Sequence, residues 1–219
     1  MKAFISYSTI QIKLAQEIKD FLKTIDIDSF IAKDDLRTAT DWKNMIFNEL
    51  SASDIFIPIL TLDFKKSEWC SQELGIAFYN NKKIIPISVD DCKPYGFINN
   101  LQSRSIAEYG VDLIISEGLL EYKIDNGGFG FAELLKKSES FRYSEKIFKI
   151  LQPYYSILGK ESLNKIIEYS IRNGHVWAAN ECANNYIPVL LEERKNDIDP
   201  LLYKKIQYQI EHQKWYTEE

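Results

Sequence analysis

The sequence predicts an α/β domain that is followed by a small all-α bundle. In residues 1 to about 135, short β-branched and aromatic runs alternate with helical patterns. Such alternation with short loops is typical of right-handed βαβ units and a parallel sheet. From about Ser138 onward strand signals nearly vanish, and apolar residues recur at helical spacing. We therefore expect two domains, at residues 1–137 and 138–219.

Four apolar runs are the predicted strands of the sheet. They comprise residues 3–7, 29–32, 55–60 and 84–89. Their near-continuous apolar character is typical of strands that are covered on both faces. Pro58 and Pro86 lie inside two of these runs and are unfavourable there, because proline cannot donate a ladder hydrogen bond. A short fifth strand is predicted at residues 105–107.

Helical patterns connect the strands. The apolar stripes are Leu14, Ile18, Phe21, Leu22 and Ile25, then Trp42, Met45, Ile46 and Leu50. A third helix is predicted from about Glu68 to Tyr79. We interpret the glycine-rich residues 127–130 as a loop before a helix at 131–137. A phosphate cradle is the alternative, but the run lacks the third glycine of a dinucleotide fingerprint.

The last 80 or so residues predict helices alone. Leu163, Ile166, Ile167 and Ile171 form a stripe, and Asn173 with Gly174 is the expected C-cap of that helix. Another helix is expected at about residues 176–184. A third is expected to start near Asp199, with Pro200 in its first turn.

Composition excludes several classes of function. The chain has 27 Lys and Arg against 32 Asp and Glu, a net charge of -5, so we expect no nucleic-acid partner. The only two histidines, His175 and His212, lie late in the chain, so the first 174 residues hold no Ser-His-Asp site and no imidazole-bound zinc. The three cysteines lack metal-ligand spacing, and we expect no metal.

The expected location is the cytoplasm, without a membrane partner. Residues 1–6 have no signal-peptide apolar core. The longest apolar run, Ile55–Leu60, has six residues and is too short to cross a bilayer. Free cysteines are typical of a reducing compartment.

A candidate site is expected at the carboxyl ends of the strands, where open parallel sheets bind ligands. Residues 7–9, 33–40 and 61–63 follow three of the predicted strands. Trp69 and Glu73 are four residues apart and share one helix face. An aromatic plane beside a carboxylate suits a substrate with a flat ring and a developing positive charge. This spacing alone is a weak signal, since a packed Trp and a solvated Glu give the same pattern.

Four sequence blocks occur together in order. They are residues 4–8, the Asp34-Asp35-Leu36 segment leading to Trp42, residues 54–60, and residues 67–74 with Trp69 and Glu73. Over about residues 1–135 this combination resembles a bacterial TIR (Toll/interleukin-1 receptor) domain. The resemblance implies a flavodoxin-like parallel five-stranded sheet. The chain departs from the family in residues 36–42, which lack the usual glycine-containing turn.

The resemblance also implies an activity and its residues. Glu73 is in the position of the catalytic glutamate of enzymes that cleave NAD+ between nicotinamide and ribose. NAD+ is then the substrate, and no cofactor is expected. The candidate substrate-binding residues are Ser6, Tyr7, Ser8, Asp35, Trp42 and Trp69. Nicotinamide leaves as a neutral molecule, so the reaction needs no general acid, unlike ordinary glycoside hydrolysis. Attack by water gives ADP-ribose, and internal attack gives a cyclic isomer.

Other functions remain open or are disfavoured by particular residues. The main alternative is a non-enzymatic adaptor that acts by TIR–TIR association. A phospho-receiver needs acidic residues where Tyr7, Ser8 and Thr61 stand, and a dehydrogenase needs glycines after the first strand. The resemblance further implies self-association, a role in anti-phage defence by NAD+ depletion or a cyclic signal, and an effector or sensor protein as partner.

Overall fold

The computed structural model describes residues 1–31 and 39–215, except for the side chains of residues 39–42. Asp35 therefore lies outside the described residues, as does the side chain of Trp42. The chain divides into two compact units, Met1–Ile114 and Ile115–Glu219. This division comes earlier than the expected boundary after residue 137. No helix in the described ranges is long and apolar enough to cross a membrane.

The first unit is built on a parallel sheet. Its strands are β1 (Lys2–Ser6), β2 (Asp28–Ile31), β3 (Ile55–Leu60), β4 (Lys83–Ile84), β5 (Ile87–Ser88) and β6 (Arg104–Ser105). The order is β2-β1-β3-β5-β6, and β4 also pairs with β3. Every pairing is parallel. The predicted flavodoxin-like fold is confirmed, since β4 and β5 together occupy one strand position.

The two prolines have different effects on this sheet. The single strand expected at residues 84–89 is split into β4 and β5, on either side of Ile85 and Pro86. Pro58 lies inside the central strand β3 and is in register with Ser6. The ladder with β4 ends at Phe56 and the ladder with β5 starts at Ile59, so the missing N–H of Pro58 falls between them. The fifth strand predicted at residues 105–107 is observed as the two-residue β6, which ends at Ser105 because a helix begins at Ile106.

Helices accompany the strands of the first unit. They are α1 (Ile12–Thr24), α2 (Ala39–Ala52), α3 (Leu62–Lys66), α4 (Glu68–Tyr79) and α5 (Ile106–Tyr109). Helix α6 (Val111–Glu121) runs across the division between the units. In α1, Ile18, Phe21 and Leu22 are buried as their spacing predicts. Helix α4 has the predicted bounds, and its Leu74 packs in a core cluster with Phe4 and Phe56.

The second unit is helical throughout the residues described, as the sequence predicts. Its helices are α7 (Asn126–Lys136), α8 (Phe141–Leu151), α9 (Lys160–Arg172), α10 (Gly174–Trp177), a π-helix (Cys182–Tyr186), α11 (Ile187–Arg194) and α12 (Pro200–His212). Asp199 caps α12 by accepting from two backbone N–H groups. Asn173 is the C-cap of α9, as expected, and its backbone N–H donates to the Ser170 carbonyl oxygen. It is also the N-cap of α10, where its side chain accepts from the His175 N–H, and Gly174 is the first residue of α10.

The glycine-rich run is not a loop, so that prediction is wrong. Residues 127–130 lie inside α7, and their glycines allow close packing. A Cβ on Gly127 would lie 2.4 Å from the Ser116 carbonyl oxygen, and one on Gly128 would lie 2.7 Å from Ser162 Oγ. Asp125 accepts hydrogen bonds from Ser162 Oγ and from the Gly159 N–H. The contacts of Gly128 and Asp125 join the start of α7 to α9, which explains why α7 belongs to the second unit.

Candidate active site

A pocket of about 360 Å³ lies where β1 ends and α4 begins. Its described lining consists of residues 5–10 together with Asp63, Ser67, Trp69, Cys70 and Glu73. It therefore brings together five of the predicted site residues, namely Ser6, Tyr7, Ser8, Trp69 and Glu73. The predicted roles of Asp35 and Trp42 stay predictions, since neither side chain is described.

Local capping places the two residues of α4 at this pocket. The chain leaves β3 at Thr61, whose side chain caps α3 by accepting from the Phe64 N–H. Ser67 ends α3 and caps α4 by accepting from the Cys70 N–H at 3.3 Å. Such serine caps satisfy backbone donors that have no partner within the helix. Trp69 then falls in the first turn of α4, and Glu73 lies one turn later.

Glu73 is the buried carboxyl group of the pocket. It is 7% exposed, and its Oε2 accepts a hydrogen bond of 2.5 Å from Ser6 Oγ. Burial raises the pKa of Glu73 to about 7, against the opposing effect of the Ser6 hydrogen bond. The carboxyl group is thus poised to change its charge near neutral pH. Trp69, by contrast, is 42% exposed at the same pocket.

Cys70 links the helix to the loop after β1. Its Sγ donates to the Tyr7 carbonyl oxygen at 3.5 Å. Burial raises the pKa of the Cys70 thiol, as does the nearby Glu73 charge. The thiol therefore stays protonated at neutral pH, which suits a hydrogen-bond donor and not a nucleophile.

The family follows from residues 3–112, which match the family model for the TIR domain. The chain belongs to the TIR domain family. The match includes the sheet from Ala3 onward and the whole described lining of the pocket. No curated protein matches the chain.

The described polar side chains of this TIR domain pocket differ in whether they are available to bind a ligand. Ser8 Oγ is buried and has no hydrogen-bond partner among the described residues. Asp63 and Glu73 are the charged side chains of the described lining, and both are acidic. The described residues contain no group of three or more His, Cys, Asp or Glu side chains placed to hold a metal ion. The pocket thus offers carboxylates and a free hydroxyl.

No role was predicted for Cys70 of the TIR domain, and Asp63 was included only within the strand-end segment 61–63. Cys70 lies three residues before Glu73, so helical spacing places both on one face. Its contact with Tyr7 depends on the approach of α4 to β1, which local spacing does not show. Asp63 follows the end of β3 closely. The expectation that ligands bind at the carboxyl ends of the strands was the signal that could have identified it.

Proposed function

We propose that this protein cleaves NAD+ at the bond between the nicotinamide nitrogen and ribose C1′, as a glycohydrolase or an ADP-ribosyl cyclase. The observation that carries the proposal is the buried Glu73 carboxyl group, held by Ser6 in a pocket that also exposes Trp69. TIR family membership is compatible with this chemistry.

The charge of the pocket suits this substrate. Nicotinamide in NAD+ is a cationic pyridinium, and it departs neutral with the electron pair of the broken bond. Positive charge then develops at C1′ of the ribose. An ionised Glu73 opposes that charge, and Asp63 adds a second carboxylate to the lining. No proton has to be delivered to the leaving group, so the histidine-free lining described above is sufficient.

Substrate binding favours the active form of Glu73. In the free protein the pKa of about 7 leaves part of the molecules protonated at neutral pH. A pyridinium held close to the carboxyl group favours its ionised form and lowers that pKa. The bound cation therefore produces the carboxylate that stabilises the transition state.

The remaining predicted residues are proposed to hold the rest of NAD+. Trp69 stacks on a ring of the nucleotide, Tyr7, Ser8 and Asp35 hold ribose and phosphates, and Trp42 is an aromatic residue near the substrate. Water attack at C1′ releases ADP-ribose and a proton. Attack by a hydroxyl or base nitrogen of the same molecule, which then loses its proton, gives a cyclic product. No metal or cofactor takes part.

The biological setting is proposed from the family. TIR domains commonly self-associate, and we propose that assembly supports activity here. The reaction would serve anti-phage defence in the cytoplasm, either by depleting NAD+ or by making a signal for an effector. A sensor protein is the corresponding partner upstream.

Incubation of the purified full chain with NAD+ over a wide range of protein concentrations tests the activity. Chromatography measures nicotinamide, and mass spectrometry identifies the second product. We expect nicotinamide together with ADP-ribose or a cyclic isomer, with a specific rate that rises with protein concentration. Absence of nicotinamide at every concentration, with binding to other TIR domains retained, would support the adaptor function instead.

A further inference from the structure

We propose that Ser6 is a positioning residue for Glu73 and not a substrate-binding residue. Its hydroxyl fixes the orientation of the Glu73 carboxyl group and favours the ionised form. The kinetic consequences of this role rest on the proposed NAD+-cleaving function. The role differs from the one that the sequence predicted for Ser6, which was to hold the substrate.

The Ser6 hydroxyl has one proton, which it donates in the hydrogen bond to Glu73. The donor and acceptor oxygens are 2.5 Å apart, and the two residues are 2% and 7% exposed. A hydroxyl has a single O–H to donate. A substrate that took this hydrogen bond would leave a buried carboxylate without a donor, which is costly.

Ser8 provides the contrast within the same segment. Its Oγ is buried at the pocket and has no hydrogen-bond partner in the part of the chain that the structure describes. The two serines therefore have different tasks, although both come from one short stretch of sequence. Ser6 serves the catalytic carboxyl group, and Ser8 is available to a ligand.

The backbone of Ser6 is held firmly enough for a positioning role. Ser6 is the last residue of β1 and is in register with Pro58 of the central strand β3. One turn before Glu73, Cys70 Sγ donates to the carbonyl oxygen of Tyr7, the residue after Ser6. Two hydrogen bonds, Ser6 to Glu73 and Cys70 to Tyr7, thus join the end of β1 and the residue after it to α4. Ser6 and Glu73 both lie on regular secondary structure, which gives precise geometry.

The electrostatic effect of Ser6 opposes that of burial. Burial disfavours a charged carboxyl group and raises the pKa of Glu73, whereas the Ser6 hydrogen bond lowers it. Removing the hydroxyl is therefore expected to raise this pKa further. Fewer molecules would then carry the carboxylate at neutral pH.

Steady-state kinetics of NAD+ cleavage separate a positioning role from a substrate-binding role. The variants are Ser6→Ala, Ser6→Thr and the matched control Ser8→Ala. We expect the pH midpoint of kcat/KM to rise by about one to two units in Ser6→Ala. KM at the alkaline plateau should stay within about twofold of wild type. Ser6→Thr should restore the midpoint, while Ser8→Ala should raise KM and leave the midpoint in place. A raised KM with an unchanged midpoint in Ser6→Ala would overturn the proposal.

A direct titration keeps the test independent of NAD+ cleavage. Side-chain carboxyl signals of ¹³C-labelled glutamate are followed by NMR in wild type and Ser6→Ala, with Glu73→Gln to assign the Glu73 signal. We expect a higher Glu73 pKa in Ser6→Ala, and an unchanged pKa would refute the positioning role. If wild type releases no nicotinamide, the proposed function fails, but this titration still decides the role of Ser6.

Discussion

Ser6 and Glu73 are 67 positions apart in the sequence, and their side-chain oxygens are 2.5 Å apart in the structure. Ser6 ends the strand β1, and Glu73 lies one turn inside the helix α4 that follows β3. The pairing of β1 with β3 brings these elements together. The parallel sheet thus creates the candidate site by placing a donor at a strand end against a buried carboxyl group.

The activity is expected to depend on the ionised form of Glu73. Because the Glu73 pKa is raised to about 7, the carboxylate fraction increases as pH rises through this value. We expect kcat/KM for NAD+ to increase about tenfold per pH unit below the pKa and to level off above it. Initial rates between pH 5 and 9 measure this profile. A rate that falls steadily from pH 6 to 8 would contradict an ionised Glu73.

Glu73 is expected to lower the stability of the folded protein at alkaline pH. Its pKa rises from 4.5 to about 7 on folding, so the folded state binds more protons between these values. Stability therefore decreases as pH rises through this window. Glu73→Gln removes the effect, and we expect it to increase the free energy of unfolding at pH 8 by about 1–3 kcal/mol, with little effect near pH 4.5.

Urea unfolding at both pH values measures this difference. The matched control is Glu68→Gln, since Glu68 is an exposed residue in the first turn of the same helix. A Glu73→Gln variant that is less stable than wild type at pH 8 would show that the ionised carboxylate stabilises the fold.

Trp69 is expected to contribute to substrate binding more than to stability. Its side chain is 42% exposed at the pocket, so Trp69→Ala removes less buried surface than the truncation of a core aromatic residue would. Stacking of a base on an aromatic ring contributes about 1–3 kcal/mol, so we expect KM to rise roughly five- to hundredfold. Trp69→Phe should recover part of the loss. Tyr79→Ala is the control, because Tyr79 is 85% exposed at the end of α4 and does not line the described pocket.

Glycines inside helices are expected to differ sharply in their tolerance of alanine. A Cβ at Gly127 would meet the Ser116 carbonyl oxygen at 2.4 Å, whereas a Cβ at Gly75 of α4 meets nothing within 4 Å. We expect Gly127→Ala to destabilise the protein by about 1–3 kcal/mol through overpacking. Gly75→Ala should stabilise it by about 0.5–1 kcal/mol through helix propensity. Thermal unfolding measures both, and equal midpoints for the two variants would rule out the close packing of α7.

Local patterns predicted most of the fold and the two residues of α4. The apolar runs located the strands, and the helix predicted from about Glu68 to Tyr79 has the bounds of α4. The four-residue spacing of Trp69 and Glu73 placed both at one pocket. Each of these features depends on neighbours within a few positions of the chain.

Features that depend on distant residues were not predicted. Glycine favours loops locally, but Gly127 and Gly128 lie in a helix because Ser116 and Ser162 pack directly against them. Pro58 is tolerated in a central strand because the neighbouring strand is interrupted beside it. The function of the Ser6 hydroxyl likewise depends on the helix that approaches it, and the sequence pattern around Ser6 contains no sign of that helix.

The central proposal is tested most directly by the initial rate of nicotinamide release from NAD+ at pH 8. This rate is measured for wild type, Glu73→Gln and Glu68→Gln. All three proteins are compared at one concentration at which wild type is active. The account predicts a loss of at least about a hundredfold for Glu73→Gln, typical of a lost transition-state interaction, and a rate near wild type for Glu68→Gln. A Glu73→Gln variant as active as wild type would contradict the catalytic role of Glu73.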